Sequence, residues 1–256
     1  MKAATKAIGK KMGDLYRPQF RIYCPERQVM FDQPFSFLVY RLLCKNHVEE
    51  LLLNKLRGLL EPTLTRIGQT FAATGLSANI WTGVSLAVSV LAAFVYSSNG
   101  FLNFNWTPWN LPAVLGGIIL LLSGFFDIVD GSVARVTRQI SRKGAFIDSV
   151  FDKVSEVAIF GGIAFGQLAD SFWCLVALGM SLLVSYTRAR AESLGGKLKG
   201  VGVGERAERL LIIAIIGMIP VKEAMQWAMI IVSIVAGITL AQRVAVTIRG
   251  LSPSEA

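Results

Sequence analysis

The chain has 256 residues, of which 53% are hydrophobic and 17% charged, and a formal net charge of +9. Soluble domains carry roughly 25% charged residues, so with a mean hydropathy of +0.54 the composition excludes an ordinary soluble domain and points to a membrane protein. The positive balance alone fits nucleic acid, anionic lipid or an anionic substrate, and its distribution along the chain decides between them.

Residues 1–53 are polar and mixed, and MGDLYRPQFRIYCPERQVMF lacks helical periodicity. They are expected to form a cytoplasmic appendage of unassigned role. The first thirty residues have no apolar h-region, so no cleavable signal peptide is expected. Cys24, Cys44 and Cys174 are far apart with no CxxC spacing, which argues against a metal site or a disulfide framework. The single histidine, His47, supplies too few ligands for a metal. Residues 54–72 place apolar side chains at helical spacing beside Lys55, Arg57 and Arg66, the pattern of an amphipathic helix lying at the cytoplasmic interface.

A helix needs about 20 residues to cross the hydrocarbon core. Six candidate spans follow, at 78–97, 112–130, 145–166, 171–190, 207–221 and 224–245, the last two joined by a tight turn at Pro220–Val221–Lys222. The fold class expected is therefore an all-α integral membrane protein with six transmembrane helices and an N-terminal interfacial helix. Lys and Arg number twelve in residues 1–77, four in 131–144 and six in 188–209, while 98–111 and 167–170 hold none. This alternation follows the positive-inside rule and predicts cytoplasmic termini in a multi-pass protein of the cell membrane. It assigns the charge to topology and anionic ligands, with no nucleic acid as partner.

Between Gly124 and Lys153 the chain places Asp127, Asp130, Asp148 and Asp152 at the cytoplasmic ends of two apolar spans. Spacings of three and four put each pair on one helical face. A loop containing Gly131 and Gly144 can bring the two pairs together. Acids inside membranes mark functional sites by default, although pairing with nearby arginines at a solvated helix end is the plain alternative. Converging carboxylates need cations, and hard oxygen ligands select Mg²⁺, Mn²⁺ or Ca²⁺. Two such ions about 4 Å apart form a clamp used for phosphoryl chemistry. Gly131 and Gly144 remove side chains beside this site, Ala134 keeps the same face open, and Arg135 can meet a phosphate bidentately.

The pattern D-x2-D-G-x2-A-R-x8-G-x3-D-x3-D, filled by Asp127, Asp130, Gly131, Ala134, Arg135, Gly144, Asp148 and Asp152, resembles the signature of the CDP-alcohol phosphotransferases. The resemblance covers about residues 54–250, including the lead-in GLSANIWTGVS. It implies a six-helix bundle, a likeness to homodimeric relatives, and a cytoplasm-facing cavity that takes a CDP-linked lipid and an acceptor alcohol. It also implies two Mg²⁺ ions, with Mn²⁺ as the alternative. Asp127, Asp130 and Asp148 would be metal ligands, and Asp152 both ligand and general base. Asp127, Gly131, Ala134, Arg135 and Gly144 would receive the CDP-lipid.

The elements S-Y-x-[KR]-A-R-A-E (Ser185–Glu192) and E-R-x-E-R (Glu205–Arg209) resemble the inositol-phosphate-using branch of that family. By this resemblance Arg188, Arg190, Arg206 and Arg209, with Arg249 or Arg243 from the last span, would bind the phosphate of a phosphorylated alcohol acceptor. Relatives that use glycerol 3-phosphate need a phosphate pocket too, but usually carry a proline where this chain has Ser149. The donor would be CDP-archaeol or CDP-diacylglycerol. Glu156, one turn beyond Asp152, is a candidate outer partner of the metal site. Intramembrane prenyltransferases set their aspartate pairs much further apart than eighteen residues. A cation transporter would place its acids near mid-membrane or in symmetric broken helices.

Overall fold

The computed structural model describes residues 20–22, 29–31, 61–102, 110–139, 141–196, 198 and 200–250. The chain divides into two compact units, Met1–Leu59 and Leu60–Ala256. Cys24, Cys44, His47, Lys197, Lys199 and the first part of the expected interfacial helix lie outside the described residues.

In the first unit, β1 (Phe20–Ile22) pairs antiparallel with β2 (Val29–Phe31), with Arg21 opposite Met30. This corrects the all-α expectation for the N-terminal part. Both segments are short runs of aromatic, β-branched and long side chains, which suit a pleated pair better than a helix.

The second unit is helical throughout its described elements. Residues 61–72 form α1. Then come α2 (Ala78–Ser97), the short α3 (Asn99–Leu102), α4 (Leu111–Val136), α5 (Arg142–Phe165), α6 (Ser171–Ser193), α7 (Arg206–Gly217) and α8 (Ala224–Gly250). Local chemistry fixes several starts. The Asn110 side chain accepts from the Ala113 N–H, with Pro112 in the first turn where a missing N–H costs nothing. Ser141 caps α5 through Gly144, and Asp170 caps α6 through Phe172. In α7 the Glu208 carboxylate accepts from the Glu205 N–H at 2.8 Å, half of a capping box.

Helices stand at all six expected span positions. Four segments, Ala78–Phe101, Leu111–Val136, Ser171–Ser193 and Ala224–Gly250, are long and apolar enough to cross a membrane. α5 has sufficient length but carries a charged N-terminal half, and the 12 residues of α7 reach only about 18 Å. Phe94, Ile118, Leu175 and Ile234 are among many large apolar side chains on the outside, as a lipid-facing surface requires.

In lipid, apolar burial gives little drive between helices, so close backbone approach and polar contacts hold a bundle together. α2 packs against α4 and α5, α8 against α6 and α7, and the two groups join through α4 with α7 and α5 with α6. Gly162 admits the Ala93 carbonyl at a distance that any side chain would block. Gly116 lies against the Tyr96 ring in the same way. Ser85 Oγ donates to the Ser123 carbonyl and Ser123 Oγ to the Ser85 carbonyl, each at 3.1 Å, tying α2 to α4. α1 is held by an apolar seam: Ile67 and Phe71 pack on Ala78, Val129 and Val133, and Gly68 faces the Ser132 carbonyl.

Candidate active site

Asp127 and Asp130 do not end their helix. α4 continues through Gly131 to Val136, and α5 already begins at Arg142. The loop expected to contain Gly131 and Gly144 therefore shrinks to 137–141, and both glycines are helical. A single glycine costs a helix only about 1 kcal/mol against Ala, and α4 runs on past Gly131 with Ser132 Oγ donating to the Ile128 carbonyl at 2.7 Å.

Asp127, Asp148 and Asp152 each offer an oxygen within 4.8 Å of the others. Asp130 stands outside this group. It is 7% exposed, and its Oδ2 is buried with no hydrogen-bond partner among the described residues. A buried carboxylate oxygen without a donor is costly, and beside three clustered carboxylates it makes an all-oxygen donor set that fits a hard divalent cation.

The three clustered acids open onto a cavity of about 990 Å³. Asp127, Asp148 and Asp152 share it with Arg188, Arg206 and Arg243. The rest of the lining sets polar side chains, among them Lys153, Glu192, Glu205 and Arg209, beside an apolar wall that includes Leu120, Leu121 and Phe125 from α4 with Leu210 and Leu211 from α7. Such a cavity can hold a molecule with an anionic head and greasy chains.

The arginines take distinct places. Arg206, one residue into α7, reaches across the cavity. Its Nη1 lies 2.8 Å from Asp152 Oδ1 and 3.2 Å from Asp127 Oδ1, and its Nη2 donates to Ser155 Oγ at 3.0 Å. Arg188 pairs with Glu192 on its own helix at 3.0 Å while bordering the cavity. Arg190 and Arg249 are exposed and do not line it.

Arg209 also borders the cavity, but in a different way. It is 2% exposed, bound to Glu156 Oε1 at 2.9 Å and to the Gly204 carbonyl at 2.7 Å, so its guanidinium is committed inside the protein. Arg243 is committed too, donating to the carbonyls of Val201 and Val184 at 2.9 Å each.

Of the residues expected at the CDP-lipid, Asp127 borders this cavity, while Gly131, Ala134, Arg135 and Gly144 are not in its lining. Gly131 has nothing within 4 Å of where a Cβ would stand. Ala134 packs into the seam with α1 instead of keeping a face open. Arg135 is exposed and donates to Ser132 Oγ at 3.1 Å. Gly144 lets the start of α5 approach Asn79, whose Oδ1 would lie 3.1 Å from an added Cβ.

Sequence reasoning passed over Ser155 and Lys153. Ser155 lies three residues after Asp152, one turn along the same face, and that spacing was the available signal. Lys153 Nζ binds Glu156 Oε2 at 2.8 Å. Glu156 is therefore engaged at both oxygens by cations, not placed behind a metal ligand.

A membrane helical bundle with clustered carboxylates facing an arginine across an amphiphilic cavity defines an integral-membrane protein built for an anionic lipid-linked substrate. Residues 75–239 match the CDP-alcohol phosphatidyltransferase family, and the chain belongs to it. It is 34% identical over 193 residues to the archaetidylinositol phosphate synthase of Pyrococcus horikoshii, covering 75% of this chain and 95% of that one. It is 35% identical over 204 residues to the phosphatidylinositol phosphate synthase of Streptomyces avermitilis, covering 72% and 79%. Among solved structures it resembles the phosphatidylinositol phosphate synthase of Mycobacterium tuberculosis with CDP-DAG bound. That likeness has a TM-score of 0.61 and 25% identity over 75% of this chain and 95% of that one. The same mycobacterial protein in complex with manganese and citrate matches with a TM-score of 0.60 and 25% identity, over 75% and 90%.

Proposed function

We propose that the chain transfers the lipid phosphoryl group of a CDP-linked two-chain lipid to a hydroxyl of inositol phosphate and releases CMP. The observation that carries this reading is the meeting of Asp127, Asp148 and Asp152 with Arg206 in one cavity that also has an extended apolar wall. The names of the archaeal and bacterial relatives support the acceptor, and the CDP-DAG-bound mycobacterial structure supports the donor.

In this reading Asp152 accepts the proton of the acceptor hydroxyl. The alkoxide oxygen forms a bond to the β-phosphorus, the bond from that phosphorus to the CMP oxygen breaks, and CMP leaves with the electron pair. Asp127, Asp130, Asp148 and Asp152 would hold two Mg²⁺ ions, or Mn²⁺, which neutralise charge on the pyrophosphate and on leaving CMP. Arg206, with Arg188 beside it, presents guanidinium to the acceptor phosphate, where a planar fork suits three oxygens. Asp127, Gly131, Ala134, Arg135 and Gly144 receive the nucleotide part of the CDP-lipid, and the apolar wall takes the lipid chains. In this reading all six expected segments are transmembrane spans, the fifth (207–221) made of α7 together with the turn that follows it. α1 lies at the interface, both termini and the site face the cytoplasm, residues 1–53 form an appendage to a 54–250 membrane domain, and two copies pair as a homodimer.

The test is CMP release by purified protein with a CDP-lipid, offering inositol phosphate, glycerol 3-phosphate, free inositol or serine in turn. Turnover with inositol phosphate, lost on chelation and restored by Mg²⁺ or Mn²⁺, is expected. Turnover with glycerol 3-phosphate alone would sink the acceptor assignment while keeping the chemistry.

A further inference from the structure

α5 carries Asp148 and Asp152, and α7 carries Arg206. These two helices scarcely touch through their backbones. α5 is seated on α2 and α6, and α7 on α4 and α8, so the cavity separates them. Side chains alone bridge the gap. The upper bridge is Arg206 to Asp152 and Ser155, at 2.8 and 3.0 Å. The lower bridge, one turn along each helix, is Arg209 to Glu156 at 2.9 Å.

The lower bridge differs in kind. Arg206 and Asp152 are open to the cavity, with side chains 18% and 26% exposed, and are free to exchange partners with a ligand. Glu156 and Arg209 are 1% and 2% exposed, and no ligand reaches both. Glu156 gives its other oxygen to Lys153. Arg209 gives its other amino group to the Gly204 carbonyl, immediately before the Glu205 cap of α7. That carbonyl belongs to a loop seated on α8. The Gly204 N–H donates to Thr239 Oγ1 at 2.9 Å, and Gly202, at φ +117, lies against the same threonine, where a side chain would not fit. Arg209 thus joins α5 to a fixed point at the root of α7, two residues before Arg206.

We propose that the buried Glu156–Arg209 pair is a positioning pair: it sets the span between α5 and α7, and so fixes where the acceptor phosphate on Arg206 stands relative to Asp152. Glu156 lies outside the cavity lining, and Arg209, which borders it, keeps its guanidinium on Glu156 and the Gly204 carbonyl. A full-length, doubly charged strut holds the helices at one separation. The acceptor must place its phosphate on α7 and its hydroxyl at α5, so that separation selects an acceptor of matching length. The inference rests on the functional reading above.

The experiment uses the purified full chain in detergent or nanodiscs, with a CDP-lipid and inositol phosphate as substrates. Wild-type turnover comes first, and its absence would overturn the functional reading and this inference together. The variants are Glu156→Gln, Arg209→Lys and the double Glu156→Gln/Arg209→Met, with Michaelis constants for both substrates and a melting curve for each. Michaelis constants do not depend on the fraction of active protein, so they separate positioning from folding. Each variant is expected to raise the acceptor KM by about tenfold while the donor KM stays within about threefold. The double variant buries no charge, so it is expected to regain the melting temperature that Glu156→Gln loses and to keep the raised acceptor KM. It carries the test if the single variants fail to fold. An unchanged acceptor KM in the double variant, or its return to the wild-type value together with stability, would show that the pair only holds the fold and would overturn the inference.

Discussion

Replacing Arg206 by Ala separates the roles the cavity gives this residue. In the structure its guanidinium makes three contacts: 2.8 Å to Asp152, 3.2 Å to Asp127 and 3.0 Å to Ser155. At 4 Å between charge centres and an effective dielectric near 20, one such pair has a gross attraction of about 4 kcal/mol. The side chains involved are 18–35% exposed, so desolvation and screening offset most of it, and about 1 kcal/mol of folding stability remains. A bound phosphate is a different case. A charged hydrogen bond is worth about 1.5–3 kcal/mol, which corresponds to about ten- to 150-fold in affinity. Arg206→Ala is therefore expected to raise the inositol phosphate KM by that factor, with a small fall in melting temperature and a donor KM within about threefold. CMP release at saturating CDP-lipid, with the acceptor varied, gives the number. If the donor and acceptor constants rose together, or only kcat fell, Arg206 would serve the carboxylates and not the acceptor, and the reasoning would fail.

Asp152→Asn is expected to lower kcat by about 10² to 10⁴, the usual contribution of a positioned base, in protein that still melts cooperatively. Activity within tenfold of wild type would reassign the base. Gly131→Ala meets no atom within 4 Å and replaces a helical glycine, so stability is expected to hold or rise by up to about 1 kcal/mol. Its donor KM is expected to rise several-fold if the nucleotide lies on that face, and an unchanged donor KM in the same titration would move the nucleotide elsewhere. Gly162→Val drives a branched side chain into the Ala93 carbonyl and parts α2 from α5. It is expected to cost about 3 kcal/mol or more, read as a lowered melting temperature in detergent, and a normal melt would contradict the packing described.

What the sequence made legible, and what it hid, divides along the range of the forces involved. α2 falls on the expected 78–97 because an apolar run bounded by polar residues is a local signal. The aspartates were legible for a similar reason, since spacings of three and four fix a shared face whatever the rest of the chain does. The end of α4 was not legible. Gly131 reads as a break, yet a single helical glycine costs only about 1 kcal/mol against Ala, so the helix carries on for a further turn and a half. The arginines were the least legible, because their partners are distant in sequence. Arg206 and Arg209 sit three residues apart and look alike as a pair, and the sequence implied one anion pocket for both. The structure gives Arg206 the open carboxylates and Arg209 the closed one, 53 residues away at Glu156. Composition states that an apolar bundle needs compensating charge where it buries an acid. Only the packing of α7 on α4 and α8 decides which acid each arginine meets. A motif that repeats the same residue type one turn apart can therefore contain one group for the ligand and one for the frame, and the difference lies in burial: 18% exposure for the Arg206 side chain against 2% for that of Arg209.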